Sequence, residues 1–304
     1  MDVPVDRYGI LRRTAVLRHG YTDDHLAAET AAARLVHLGY GAYLPSTALP
    51  PGPSRGDVRY RFRCLAFGTA GLGDEPPVLS HQSAAALHRL PLLRADLDSV
   101  HLLSGRAGGG HKRGRRHIHA GLAGESTVID GVRVTSLART AVDVAAAGNF
   151  AQALVVLDGA LRAGATPREL ADELEARRRA GIAVARRALA CADGASESVG
   201  ESWSRAQFIL AELPAPRLQV EHRCRTQCPR VDFDWAGRLV GEFDGFVKYG
   251  REFLRPGEAP ADVVFREKVR EDELRESGLM VVRWTWRDLE RDRVVPMIGR
   301  WLRR

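Results

Sequence analysis

The sequence predicts a mixed α/β fold (α+β mixed), and three observations predict it. Residues 231–235 and 239–244 alternate apolar and acidic around an Ala236-Gly237 turn, the pattern of a β-hairpin with one buried face. Apolar residues recur at helical spacing over 22–38 and through 150–192. The 304 residues suffice for two or three domains, and no apolar run approaches the ~20 residues of a membrane span.

Residues 9–18 read as a short helix ending at His19-Gly20. Thr22 is a good N-cap, with Asp23 and Asp24 in the first turn of a second helix that runs through Leu26, Ala27, Thr30, Ala31, Arg34, Leu35 and Leu38. Residues 39–45 follow as a short strand with a tight turn. Two helices joined by a Gly-containing turn and followed by a small hairpin outline a winged helix-turn-helix over residues 1–45, whose second helix would read a DNA major groove. Arg34 and His37 are its candidate base contacts, Thr22 belongs to the same DNA-facing set, and Arg12 and Arg13 are candidate phosphate contacts. The helix is mostly alanine, which argues against sharp sequence readout; a small protein-interaction domain is the other reading.

Residues 46–77 read as linker and strand: a Pro-, Gly- and Ser-rich loop over 46–57, a strand over 59–67 and a second flexible stretch over 68–77. A middle domain is expected over 78–192. It opens with a helix capped by Ser80, continues with strands at 100–103 and 128–134, and turns the second strand at Asp130-Gly131. Arg139 and Asp143 lie four apart on a presumed helix and would pair. His81 and His88 lie on one helical face, where capping and core satisfaction outweigh a metal role. Residues 105–119 form the densest basic cluster, with Arg106, Lys112, Arg113, Arg115 and Arg116 among glycines. A flexible basic loop grips phosphate without sequence choice, and a solvated loop is the equal alternative. Residues 150–192 read as helices broken at 164–167 and at Gly181, with Leu154, Leu157 and Leu161 facing a core and Arg177, Arg178 and Arg179 facing solvent.

The last domain, 195–304, is expected to run entry helix (196–213), strand (218–224), the hairpin, crossing helix (261–277) and last strand (279–286), an αβββαβ order, with 287–302 closing it. An odd hairpin loop with Gly237 left-handed puts Asp232, Asp234, Glu242 and Asp244 on one face and Val231, Phe233, Trp235 and Phe243 on the other. A two-residue loop would split the acids. Carboxylates gathered on one face call for a cation, and Mg2+ takes oxygen ligands. With Lys248 nearby, these are the parts for metal-assisted phosphodiester hydrolysis. A solvated acidic edge, with Lys248 as counterion, is the plain alternative.

The stretch 230–286 resembles the core of the PD-(D/E)XK restriction-endonuclease-like superfamily, above all its very-short-patch-repair-like branch and a related family of unknown function. The matching residues are Asp232; Glu242, Asp244, Gly245 and Lys248; Arg270, Leu274 and Gly278; and Val281, Arg283 and Trp284, with Glu197 and Glu201 on an upstream acidic helix. The resemblance implies a restriction-endonuclease-like fold with Mg2+ held by Asp232, Glu242 and Asp244. Glu201 would complete the acidic shell, Lys248 would position or activate water, and Arg270 and Arg283 would face DNA. Lys248 stands where relatives usually carry His, and Asp244 replaces the Lys of the Glu-x-Lys step. The region 1–45, together with the phrases at 79–91 and 134–145, resembles AbiEi-type antitoxins, which implies a DNA-binding regulator and a possible toxin partner.

The formal net charge of +7 makes a polyanion partner plausible. Arginine far outnumbers lysine, which suits phosphate binding and is also what a GC-rich genome encodes. The four cysteines, Cys64, Cys191, Cys224 and Cys228, are too sparse for a disulfide framework, and Cys224 and Cys228 lack two further ligands for zinc. The amino terminus has neither a basic region nor an apolar core, so a cytoplasmic protein is expected. Three functions compete: a Mg2+-dependent DNA-processing enzyme, a non-catalytic DNA-binding regulator on a nuclease-like scaffold, and an interaction module without nucleic acid.

Overall fold

The structure, a computed structural model, describes residues 3–70, 77–106, 108–122, 124, 126–176, 180–245 and 260–303, with 260–267 described by backbone alone. Lys248 and Arg177–Arg179 lie outside the described residues.

The chain begins with β1 (Leu11–Arg12), α1 (Arg13–Arg18), α2 (Asp23–Ala31), β2 (Leu35–Gly39) and β3 (Ala42–Pro45), the strands ordered β1-β3-β2. The expected second helix therefore stops early, and its last apolar residues form β2 instead. Ala33 takes a left-handed φ of 55°, and the Arg34 N–H closes on the Glu29 carbonyl at 3.0 Å, ending the helix. Leu35, Val36 and Leu38 satisfy either periodicity. The Tyr40-Gly41 turn, with φ of 54° and 65°, settles the matter by folding β2 onto β3.

The segment 59–67, expected as a strand, lies in α3 (Arg55–Gly68). Its Arg-aromatic alternation imitates period two, but Tyr60, Arg63, Cys64 and Phe67 share one buried helical face, with Leu65 and Ala66 buried beside them. Arg63 is buried by donating to the carbonyls of Leu38 (3.2 Å) and Leu97 (2.8 Å). Tyr60 Oη reaches Ser83 Oγ and the Ser99 carbonyl, both at 2.8 Å. This helix thus bolts the first sheet to the middle region.

The middle region comprises α4 (His81–His88), β4 (Val100–Leu103), β5 (His111–Arg113), β6 (Arg116–His119), β7 (Ser126–Ile129), β8 (Val132–Thr135), α5 (Leu137–Ala147), α6 (Phe150–Arg162), α7 (Pro167–Glu175) and α8 (Ile182–Leu189). Ser80 holds the N-cap position of α4, yet its hydroxyl contacts His81 Nδ1 at 3.1 Å rather than a backbone N–H. Asp130 and Gly131 turn β7 into β8, both left-handed. The expected basic loop is instead the β5–β6 hairpin, turned at left-handed Gly114, with β4 parallel to β6. Gly114 makes its turn.

The last region runs α9 (Val199–Leu210), β9 (Arg217–Glu221), β10 (Arg230–Trp235), β11 (Leu239–Asp244), α10 (Pro260–Glu276), β12 (Met280–Thr285), α11 (Trp286–Glu290) and α12 (Val294–Leu302). The sheet is ordered β12-β11-β10-β9, with β11 parallel to β12 and the other pairs antiparallel. One core joins Phe208 and Trp203 of α9, Phe233, Trp235, Phe243 and Trp284 of the sheet, and the apolar faces of α5 and α6. A second unites Ile10, Leu38 and Leu44 with α3, α4, β4 and β8. Packing therefore runs across both residue 45 and residues 192–195, where domain boundaries were expected. Among the described residues no helix is long and apolar enough to cross a membrane, and all four cysteines are free.

Candidate active site

Trp235 pairs with Leu239, so the β10–β11 loop holds three residues, with Ala236 and Gly237 left-handed at φ of 53° and 65°. This is the odd loop the sequence favours. Asp234 is fully enclosed and caps the loop, accepting from the Gly237 N–H at 2.7 Å and pairing with Arg217. Its role is to hold the turn.

The alternation breaks at Asp232. The β9–β10 ladder pairs residues 230, 231, 233 and 234 and steps over Asp232. Its opposite number by register, Gln219, has a left-handed φ of 53°. Val231 consequently packs with Val240, Leu274, Leu279 and Val281, whereas Phe233, Trp235 and Phe243 belong to the core against α9. This corrects the expected grouping of Val231 with those aromatics. The Asp232 carboxylate takes the place of a backbone acceptor, receiving the Phe243 N–H at 2.8 Å.

Glu242 lies on β11 and is buried, and two arginines neutralise it. Arg270 Nη2 of α10 approaches Oε1 at 2.6 Å, and Arg283 Nη2 of β12 approaches Oε2 at 2.7 Å. Glu242 and Arg283 are register partners on parallel strands, which fixes that pair. Arg283 also reaches Asp244 (3.6 Å) and Glu271 (3.3 Å), so it joins three carboxylates. Arg270 further donates to the Arg230 carbonyl at 2.6 Å. Such charge-assisted bonds offset the cost of burying a carboxylate.

Glu201, in the first turn of α9, is buried and accepts from the Glu197 N–H (2.8 Å) and from Gln219 Nε2 (2.9 Å). Glu197 pairs with Arg230 at 2.8 Å. The neighbouring Gly200 lets α9 approach the sheet: a Cβ there would sit 2.1 Å from the Phe243 ring. Glu201, Asp232, Glu242 and Asp244 are thus supplied by one helix and two strands of one sheet. No three of them bring ligand oxygens within 4.8 Å of one another. Carboxylate oxygens suit Mg2+, and the countercharge on Glu242 now comes from guanidinium groups.

The expected DNA contacts divide. Arg12 is turned inward, donating to Asp6 (2.9 Å) and to the Ala66 carbonyl (2.9 Å), which ties β1 to α3. Arg13 pairs with Asp23 and Arg34 with Glu29 (2.7 Å), both on exposed surface. The Thr22 N–H donates to His25 Nδ1 at 3.1 Å, closing the start of α2. Lys112, Arg113 and Arg115 of the basic hairpin are exposed. Arg116 stacks over Tyr40, 4.9 Å from the ring centroid, and serves the interior. His37 stacks on Tyr43 (4.8 Å), and its pKa is lowered by burial and then by Arg115, Arg63 and Arg59. Exposed Arg59 therefore extends the basic surface beside β2, a residue that a strand reading of 59–67 misses.

No family model matches the sequence. Over 193 residues the chain is 33% identical to "Uncharacterized protein Rv2248" of Mycobacterium tuberculosis (strain ATCC 25618 / H37Rv) and, to the same extent, to "Uncharacterized protein MT2308" of strain CDC 1551 / Oshkosh. The match covers 62% of this chain and 68% of each relative.

Proposed function

This chain belongs to the family of the Mycobacterium tuberculosis proteins Rv2248 and MT2308, and on that premise we propose that it binds DNA and hydrolyses phosphodiester bonds with Mg2+ at the β10–β11 hairpin. The observation that carries the reading is Asp232 at the break in β10, one strand away from a Glu242 buried under Arg270 and Arg283. The order α9-β9-β10-β11-α10-β12 supports the likeness to PD-(D/E)XK nucleases.

Asp232, Glu242 and Asp244 would hold the ion once their oxygens draw closer together than they stand here, since hard carboxylate oxygens fit it. A magnesium ion would supply positive charge to the phosphoryl oxygens and make hydroxide available at neutral pH. Glu201 holds Gln219 opposite Asp232, and Phe243 holds the Asp232 carboxylate. Arg270 and Arg283 are partly exposed, and a phosphate draws guanidinium groups as a carboxylate does. Incoming DNA would engage them and relieve their hold on Glu242.

A second reading, a non-catalytic DNA-binding regulator of the antitoxin type with a toxin partner, is favoured by one observation. Both oxygens of Glu242 are engaged by arginine. Incubating the chain with mixed single- and double-stranded DNA and Mg2+ or Mn2+ separates the two. Cleavage upholds the nuclease; binding without cleavage gives the regulator.

The basic hairpin supports DNA binding in either reading. Replacing Lys112, Arg113 and Arg115 with alanine is expected to weaken DNA binding. It should also flatten the log-affinity against log-salt slope by about 0.9 for each lost phosphate contact. Fluorescence anisotropy at several salt concentrations reads this, and an unchanged slope would remove the hairpin from the interface.

A further inference from the structure

The middle region contains a side-chain cluster that phosphodiester hydrolysis does not use. β4 and β6 run parallel, in a register that sets His101 opposite His117 and Leu103 opposite His119. Side chains two apart on a strand share a face, so the three histidines leave the sheet together. One ring nitrogen of each lies within 4.8 Å of the other two. His101 Nδ1 is 2.9 Å from His119 Nε2, and the rings of His117 and His119 stack at 4.1 Å. His81, at the start of α4, stacks on His119 at 3.6 Å and 13° from parallel. It does so from a left-handed backbone, φ 47°, which a non-glycine residue seldom adopts.

Two features suit the cluster to receive an ion. His101 is buried, with its Nδ1 turned to His119. A cleft of about 990 Å³ opens beside the cluster, lined by His81, Leu103, His119, Gly121, Arg139 and Asp143.

We propose that His101, His117 and His119 bind one divalent transition-metal ion of the zinc class, with the remaining coordination position facing this cleft. Three imidazoles select zinc, cobalt, nickel or copper over Mg2+, which takes oxygen. Tetrahedral zinc with nitrogen ligands at about 2.0–2.1 Å spaces those nitrogens about 3.3 Å apart. The 2.9 Å contact between His101 and His119 therefore opens by a few tenths of an ångström, a small ring rotation. His81 is a positioning residue that stacks on His119, and its own Nδ1 lies 3.1 Å from Ser80 Oγ, which orients it.

The test uses the full-length chain without a polyhistidine tag, stripped with chelator and titrated with Co2+ and then Zn2+ in excess Mg2+, which occupies carboxylate sites. One Co2+ per chain is expected, with the visible absorption of a nitrogen-ligated low-coordinate ion and displacement by Zn2+. His117→Ala and His119→Ala should each weaken binding by at least about 10-fold, and the double variant should lose the absorption. Both residues are half-buried, so far-UV circular dichroism is expected to show a folded chain where buried His101→Ala risks misfolding. Cys224→Ser with Cys228→Ser should bind as the wild type does. Affinity no tighter than roughly millimolar, or equal binding by the folded His117→Ala, His119→Ala variant, overturns the proposal.

Discussion

Asp158→Ala is expected to destabilise the chain by about 3–5 kcal/mol, the usual loss on removing one partner from a buried ion pair. Asp158 of α6 is fully enclosed and accepts from Arg205 Nη1 of α9 at 2.6 Å and from the Asp193 N–H at 2.8 Å. The alanine leaves Arg205 buried with the Cys191 carbonyl, at 2.5 Å, as an uncharged acceptor. The lesion sits where the middle helices meet α9, so the two sides of the larger core lose one of their ties. Burial raises the Asp158 pKa even against Arg205. The folded chain thus takes up this proton more readily than the unfolded chain. Stability therefore falls as pH rises from the ordinary carboxylate range through that raised value, where the enclosed group gives up its proton. Asp158→Asn, which keeps an acceptor, should accordingly cost less than Asp158→Ala. Urea denaturation at neutral pH ranks the three proteins; equal midpoints for Ala and Asn would contradict this.

Glu242→Ala is expected to do three things at once. It removes the carboxylate between Arg270 and Arg283, leaving two guanidinium groups side by side. The stability loss should be about 3 kcal/mol, near the low end for a broken buried pair, because both arginines keep some solvent contact. DNA should bind more tightly, since two cations that no longer share Glu242 face the phosphates. Cleavage should stop. Glu242→Gln separates these effects, because the amide oxygen still accepts one arginine while the charge is gone. Chemical denaturation, anisotropy and a cleavage assay on the same preparations read all three. Weaker DNA binding by a folded Glu242→Ala would show that the arginines serve only the fold.

The hairpin was legible because period-two alternation and a glycine at a left-handed position are local signals, and Trp235 opposite Leu239 is the expected register. The break at Asp232 was not legible. It depends on a carboxylate standing in for a backbone acceptor toward Phe243, a contact eleven residues away. Residues 59–67 misled because alternating arginines and aromatics fit a strand, until burial chose the set at helical spacing. The last residues of the expected second helix became β2 because the Tyr40-Gly41 turn offered them a partner strand. Glycines in the basic segment read as slack, while Gly114 in fact reverses the chain. The histidine cluster left one local trace, His117 and His119 two apart. Its third member, His101, joins through a parallel pairing that no neighbouring residues announce. The two arginines on Glu242 were visible as residues, but the resemblance pointed them toward DNA rather than toward a carboxylate.

If Asp232 belongs to a metal-dependent phosphodiester-cleaving site, replacing its carboxylate with an amide abolishes cleavage. Wild-type protein and Asp232→Asn are incubated with supercoiled and single-stranded DNA in Mg2+, in Mn2+ and in chelator, and cleavage is followed by gel electrophoresis. The asparagine keeps an oxygen for the Phe243 N–H, so the strand break is preserved while the metal-binding charge is lost. Cleavage by the wild type is expected in either metal, none in chelator and none by Asp232→Asn, with DNA binding retained by the variant. Metal-dependent cleavage by Asp232→Asn at the wild-type rate, or no cleavage by the wild type under any of these conditions, would contradict it.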